Sequence, residues 1–467
     1  MRLFYTLIIA LASMACTPPT PDVTPEPDQK DTTVVEQPVE KPDEKPEPPK
    51  PSIEPVEDEV VEDGIDENAY NHFERVALQS EIQNVQPMTG IVLWSDNDRS
   101  NSKKEYIQLE FAYMLYNEVC KEKDVYDWTP MDQLLEEVAS RGHQLVVRFR
   151  YTYVGKQCSV PDYIKAWPGY EETVGKSEGR TTYFPDWRCE ELQRFHLDFH
   201  KRFAERYDND PRLAFVQTGF GLWAEYHIYD GPCKIGTTFP SKEFQATFFK
   251  EMETYFKNTT WSISIDAADS FYSPLKAQPE LLDLRFGNFD DSFMHEDHGD
   301  YNRDCWIFFG LDRYKKAPCG GEFSYYTHDD QKHCLDKEGM YGRLFENEVK
   351  RYHMTYINGN DQPQYQSMDR IKEASMAMGY KYEILDYRVN GDEAAVLIKN
   401  IGVAPIYRDA YVAVGGVKGE YSLAGLMPGW RQWIVIKGAG VSADAKPEIV
   451  CDHLVPGQKI EYKADVK

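Results

Sequence analysis

Beyond its first sixteen residues, this 467-residue chain has no apolar stretch long enough to cross a bilayer. Its body is therefore expected to be soluble, and at most tethered. It also lacks any surplus of positive charge. Lys and Arg number 52 against 78 Asp and Glu, a net charge of −26, and no basic stripe occurs, which argues against nucleic acid as a partner. None of the nine cysteines sits in a CxxC pair, so a zinc ribbon or a thiol redox motif has little support. No Gly-rich fingerprint follows the first strand-like run, which disfavours a dinucleotide fold. There is no internal repeat. The Asp/His-rich stretch from Asp290 to Asp300 matches neither an EF-hand loop nor a zincin spacing, so a solvated acidic loop is expected there. No cofactor and no metal is assigned.

The first feature present is the amino-terminus. Arg2 precedes an apolar run from Leu3 to Ala12, and Ser13-Met14-Ala15-Cys16 follows. This is a secretory signal with a small residue just before a cysteine. It resembles a bacterial lipoprotein signal, which implies cleavage before Cys16 and a lipid on that residue. The expected place is the cell envelope, anchored to the outer membrane on its periplasmic or cell-surface face. Thr17–Asn68 then carries seventeen acidic residues against four lysines, with twelve of the 28 prolines. Such a segment buries too little apolar surface to offset its ordering entropy, so residues 17–68 are predicted to be a disordered, extended tether.

Setting Cys16 aside leaves eight cysteines: Cys120, Cys158, Cys189, Cys233, Cys305, Cys319, Cys334 and Cys451. An even number in an exported chain suggests disulfides. Cys319 with Cys334, and Cys158 with Cys189, are the favoured pairs, and free buried thiols are the alternative.

From residue 69 to about residue 380, short apolar runs alternate with amphipathic ones. Eight strands are predicted: Gly90–Trp94, Ile107–Met114, Gln144–Tyr151, Leu213–Phe220, Trp261–Ala267, Leu284–Asp291, Ala317–Phe323 and His353–Gly359. Helices are predicted over Met131–Ser140, Cys189–Tyr207, Ser241–Phe256, Lys337–Tyr352 and Ser367–Met378. Eight strands alternating with helices over about 290 residues fit a (β/α)8 TIM barrel of the α/β class better than an open sheet. After about Tyr380 the texture changes to short β-rich runs separated by Gly, Asn and Pro. Residues 381–467 are therefore predicted to form a small all-β sandwich, more suited to packing against the barrel than to binding glycan.

Strand alternation assigns side chains to the two faces of the barrel wall. Val147, Phe149 and Tyr151 should meet the helices, which sends Arg148 and Arg150 inward. The same logic places Glu110 inside with Leu109 and Phe111 outside, and Ser262, Ser264 and Asp266 inside. An inward charge must be paired, and Glu110 with Arg148 is the expected structural ion pair. Arg150 and Asp266 lie nearer the carboxyl ends of their strands and are candidates for ligand contact.

The site is expected at those carboxyl ends. After the fourth strand come Trp223, Glu225, Tyr226, His227 and Tyr229, for which a tyrosine-rich surface loop is the competing reading. The seventh strand ends in Gly320-Gly321-Glu322-Phe323, where two glycines let the backbone turn closely and aim one carboxylate. The sixth carries Asn288-Phe289-Asp290-Asp291. Two carboxylates from separate strands, one protonated and one ionised, around an aromatic-lined mouth are what glycoside hydrolysis requires. Trp94, Tyr151, Tyr153, Trp223, Tyr226, Tyr229, Tyr325 and Tyr326 are candidate platforms for sugar rings.

The segment Thr181–His227 (TTYFPDWRCEELQRFHLDFHKRFAERYDNDPRLAFVQTGFGLWAEYH) resembles a family of bacterial exported proteins. In that family a barrel similar to clan A glycoside hydrolases precedes a β-sandwich. Gly287–Phe293, Pro318–Phe323, Met378–Ile384 and Asn400–Asp409 follow in the family's order. The resemblance implies that Glu225 is the general acid/base and Glu322 the nucleophile of a retaining enzyme. Arg150, His227 and Asp290 would orient the substrate, and Asp266, Asp291, Trp94, Trp223 and Tyr325 would contact it. One departure stands out: the clan's asparagine before the acid/base is Ala224 here. Two functions are therefore weighed, a lipid-anchored glycoside hydrolase acting on an oligo- or polysaccharide and a non-catalytic glycan-binding surface lipoprotein on the same scaffold.

Overall fold

Eight strands pair side by side and in parallel into a closed barrel. They are β1 (Gly90–Trp94), β2 (Leu109–Leu115), β3 (Gln144–Arg150), β4 (Leu213–Gln217), β5 (Thr260–Ser264), β6 (Phe286–Phe293), β7 (Cys319–Phe323) and β8 (Met354–Asn358). Pairing of β8 with β1 closes the ring. This is the computed structural model of the protein, and it describes residues 56–57, 61–97 and 105–467. The predicted signal peptide, the predicted lipidation site Cys16 and most of the predicted tether lie outside the described residues.

All eight predicted strands are present, with ends shifted by a few residues. Helices α1 (Thr129–Ser140), α2 (Glu190–Tyr207), α3 (Lys242–Tyr255), α4 (Tyr301–Phe309), α5 (Phe345–Arg351) and α6 (Met368–Ala377) pack around them. Local chemistry explains their starts. Ser241 Oγ accepts from the Phe244 amide ahead of α3, and Ser367 Oγ accepts from Arg370 ahead of α6. On α2 the apolar stripe of Leu192, Phe195, Phe199 and Phe203 is fully buried against the barrel. The predicted helix Lys337–Tyr352 shrinks to α5. Gly339, Tyr341 and Gly342 all take positive φ, a backbone that no right-handed helix accommodates.

The alternation argument holds for β3 and β5 and fails for β2. Leu109 and Phe111 pack with Val92, Val146 and Phe215 in the barrel interior. Glu110 points outward to the helix layer instead, where Arg141 Nε donates to it at 2.8 Å and His143 Nδ1 lies 2.6 Å away. The expected Glu110–Arg148 pair does not exist. Both faces of β2 carry apolar residues, so its pattern could not choose a face, and a one-residue slip inverts every side chain.

The carboxyl-terminal region is antiparallel in the main. One sheet contains Tyr382–Asn390, Glu393–Asn400, Arg431–Lys437 and Tyr462–Val466, and a second contains Ala410–Val414, Val417–Ser422 and Pro447–Cys451. The first sheet also recruits Glu74–Arg75 and Leu78–Ser80, which precede the first barrel strand. Residues at the end of the predicted tether are also tied down. Asp63 accepts from Arg431 Nε at 2.7 Å, and Trp433 Nε1 donates to the Asp66 carbonyl. Buried Arg408 reaches the barrel, bonding the Leu213 carbonyl and Thr259 Oγ1 at the starts of β4 and β5. The sheets thus meet the rim opposite the strands' carboxyl ends.

All eight described cysteines are free thiols, in contrast to the expected Cys319–Cys334 and Cys158–Cys189 pairs. Cys334 donates instead to Gln362 Oε1, and Cys158 is buried in the helix-side core. Even parity gave no information about distance.

Candidate active site

Two glycines shape the loop after β4. A Cβ on Gly219 would lie 2.3 Å from the Ala224 carbonyl oxygen, and one on Gly221 would lie 1.8 Å from that of His227. With only hydrogens there, the loop folds back on itself. The amides of Phe220 and Gly221 both donate to the Glu225 carbonyl, and that of Leu222 donates to His227. Trp223 and Ala224 at the bend take φ of 59° and 55°, a region costing an L-residue about 1–2 kcal/mol. The loop therefore accepts strain in order to present Glu225 and His227. Gly221→Ala is expected to cost about 2 kcal/mol or more and, by displacing both side chains, to lower any turnover at the site at least about 100-fold. Urea denaturation and a rate assay on the variant check both figures.

Below that loop lies a buried cation. Arg148, fully buried, donates to Gln217 Oε1 from Nε at 2.9 Å and from Nη2 at 2.7 Å. Its Nη1 reaches Glu225 Oε1 at 3.1 Å and the Trp223 carbonyl at 3.2 Å. The guanidinium also stands over the Phe289 ring, 4.3 Å from its centre. Gln217 in turn donates to the Tyr356 hydroxyl at 2.9 Å. A chain of polar contacts thus crosses the barrel interior and ends at Glu225.

Glu322 has a different setting. Burial pushes its carboxyl up to about 8, with Arg148 pulling it down and Glu225 adding to the rise. On the other side of Glu225, His227 Nδ1 lies 2.9 Å from Asp266 Oδ2, and its Nε2 lies 3.4 Å from Glu225 Oε2. Burial works against an imidazolium there, yet Asp266 and Glu225 together hold His227 well above the ordinary histidine value. Asp291 is pushed well up, by burial first and then by Asp266 and Glu225. Asp266 is held down, since His227 and Ser264 outweigh its own burial.

These groups converge on one cavity of about 500 Å³, lined by Glu225, Glu322, His227 and Asp291. Trp94, Tyr153, Trp223, Tyr229, Tyr325 and Tyr326 form its aromatic walls. The other predicted residues lie further back. Asp266 stands behind His227, and Arg150 stacks behind Tyr153, 4.4 Å from its ring centre. Asp290 is misplaced by the prediction. It is fully buried, accepting from Asn302 Nδ2 at 2.8 Å and Trp306 Nε1 at 3.2 Å and facing His298. On a strand, neighbours of Asp291 must point the opposite way. Tyr151 and Tyr226 are likewise core residues, Tyr151 stacked on Tyr116 and Tyr226 bonded to Gln245.

The sequence reading missed Tyr113, Glu178, Asn360 and Asp361, which also line the cavity. Tyr113 would have followed from a correct register for β2. Asn360 and Asp361 come just after β8, where the rule of strand carboxyl ends applies. Glu178 had no signal, because it sits at the turn of a ribbon inserted after β3 (Thr173–Ser177 with Arg180–Phe184), where Tyr229 Oη donates to it.

No family model matches the chain, and a search of curated proteins finds no match. Solved structures similar to it include the catalytic domain of β-amylase from Paenibacillus polymyxa, at 9% identity and a TM-score of 0.40 over 63% of this chain and 99% of that one. Another is GH5_18 from Bifidobacterium longum subsp. longum, at 8% identity and a TM-score of 0.37 over 59% and 70%. A third is the galactosidase domain of α-galactosidase-sucrose kinase AgaSK, at 11% and 0.35 over 79% and 55%. The chain is an eight-stranded parallel barrel of the TIM type with an antiparallel carboxyl-terminal region, an architecture that its own strand pairing establishes.

Proposed function

We propose that this protein is a glycoside hydrolase whose two working carboxyls are Glu225 and Glu322. The observation that carries this reading is their setting around one aromatic-walled cavity. One glutamate is bonded to a buried arginine, and the other is pushed by burial to about 8. Pairs of carboxyls whose environments differ in this way divide into an ionised partner and a proton donor. We therefore assign the proton donor to Glu322 and the ionised role to Glu225, the reverse of the roles that the clan resemblance implies. Trp223, Tyr325 and Trp94 supply flat apolar area for sugar rings. The acidic lining favours neutral or cationic sugars over uronates. Retention of configuration, a lipid anchor at Cys16 and an outer-membrane location complete the proposal.

Leaving-group dependence tests the assignment. On dinitrophenyl glycosides, which need no proton, Glu322→Gln is expected to retain most of the rate of the glycosidic cleavage step, whereas Glu225→Gln loses about 1,000-fold or more. On unactivated oligosaccharides both variants fail. The opposite pattern restores the clan's roles. Binding of oligosaccharide by the unsubstituted protein without any turnover favours a glycan-binding lipoprotein. Palmitate labelling that disappears in Cys16→Ser tests the anchor.

A further inference from the structure

We infer that Glu225, His227 and Asp291 form a site for one divalent transition-metal ion of the Zn²⁺ kind, at which metal and sugar exclude one another. One ring nitrogen of His227 and one carboxylate oxygen from each of the two acids lie within 4.8 Å of one another, the one such donor group among the described residues. The Nε2–Glu225 Oε2 separation is 3.4 Å. Two ligands of a tetrahedral zinc ion, each about 2.1 Å from the metal, stand about 3.4 Å apart, so this edge already has the required length.

The second observation concerns the imidazole itself. His227 is 8% exposed, and its Nε2 makes no well-formed hydrogen bond, only the 3.4 Å ion-pair approach to Glu225 Oε2. Its other nitrogen, Nδ1, is engaged by Asp266 at 2.9 Å. A carboxylate holding Nδ1–H orients the ring so that Nε2, once an incoming metal has displaced its proton, is turned toward the ion. Asp266 is itself bonded by Ser264 Oγ, which also reaches Asp291 Oδ2 at 3.3 Å. The supporting hydrogen bonds therefore join the group on both sides. One imidazole with two carboxylates suits zinc and its first-row neighbours, whereas magnesium and calcium prefer all-oxygen sets. Three protein ligands leave a fourth position facing the cavity.

The site takes up the carboxylate that hydrolysis needs in ionised form, so the bound ion inhibits. The inference concerns binding of the metal alone and stands whether or not the protein turns over sugar. Calorimetric titration of the full chain with ZnCl₂ is expected to show one equivalent bound, and CoCl₂ to give the visible absorption of a four-coordinate centre. His227→Gln and Asp291→Asn each weaken binding about 100-fold or more, and Asp266→Asn about 10- to 100-fold. Glu322→Gln, across the cavity, retains it. Near-UV circular dichroism confirms that each variant is folded. If turnover is established, Zn²⁺ raises KM for the sugar with kcat unchanged. The inference is overturned if no tight equivalent binds, or if the folded His227 and Asp291 variants bind as well as the parent. In either case His227 acts only as a clamp between carboxylates.

Discussion

Arg148→Leu is expected to lower the stability of the folded chain by about 3–5 kcal/mol and to abolish any activity of the site. Truncating one partner of a buried pair strands the other, and that stranded charge dominates the cost. Here the loss is compounded. Gln217 would lose both guanidinium contacts, and the Trp223 carbonyl would lose its donor at the bend of the loop. Glu225 would keep only the 3.4 Å approach of His227. Arg148→Lys retains the charge but not the fork that serves Gln217 and Glu225 together, so an intermediate loss of about 2 kcal/mol is expected. Urea midpoints for the two variants check the order. If the leucine variant costs less than about 1 kcal/mol, the arginine is not the keystone of the barrel interior.

The second large effect comes from Glu322→Gln, which should combine loss of any activity of the site with a gain in stability that depends on pH. The folded carboxyl titrates at about 8 against an ordinary value of 4.5. Between those values the native state retains a proton that the unfolded chain has released. Stability therefore falls as pH rises across that window and levels off above it. Glutamine carries no such proton. The stability advantage of the variant is expected to be near zero at pH 4 and to grow through neutrality to about 2–3 kcal/mol at pH 9. A shift of this size would give more at about 1.4 kcal/mol per unit, but the side chain opens onto the cavity and solvent screens part of it. Denaturation curves for parent and variant at pH 4, 7 and 9 measure the gap. An advantage that does not change with pH would show that burial does not hold this carboxyl neutral.

The two predictions rest on different kinds of information, and the chain shows where each resides. The barrel was legible because its signal is local and repeated. Apolar runs of five to eight residues bounded by turn formers recur eight times, and amphipathic helical patterns lie between several of them. The glutamates at 225 and 322 were legible for the same reason, since placement just after a strand is enough to put a residue at the barrel mouth. The inward turn of Arg148 also followed from its strand, because its neighbours on the other face are all large and apolar.

What the sequence could not settle were choices between states of similar local cost. Leu109, Glu110 and Phe111 satisfy either register until Arg141 and His143 offer Glu110 a partner outside the barrel. Asp290 and Asp291 are adjacent and chemically alike, yet the pleat sends one to Asn302 and Trp306 and the other to the cavity. Glu178 enters only because an inserted ribbon folds over the mouth, and Glu74–Arg75 only because a distant sheet has an edge to pair. Composition and periodicity by themselves determined a barrel, its open end and the acids delivered there. Tertiary structure decided which charges met, because a buried charge is tolerated only where a partner from elsewhere in the chain arrives within hydrogen-bonding distance.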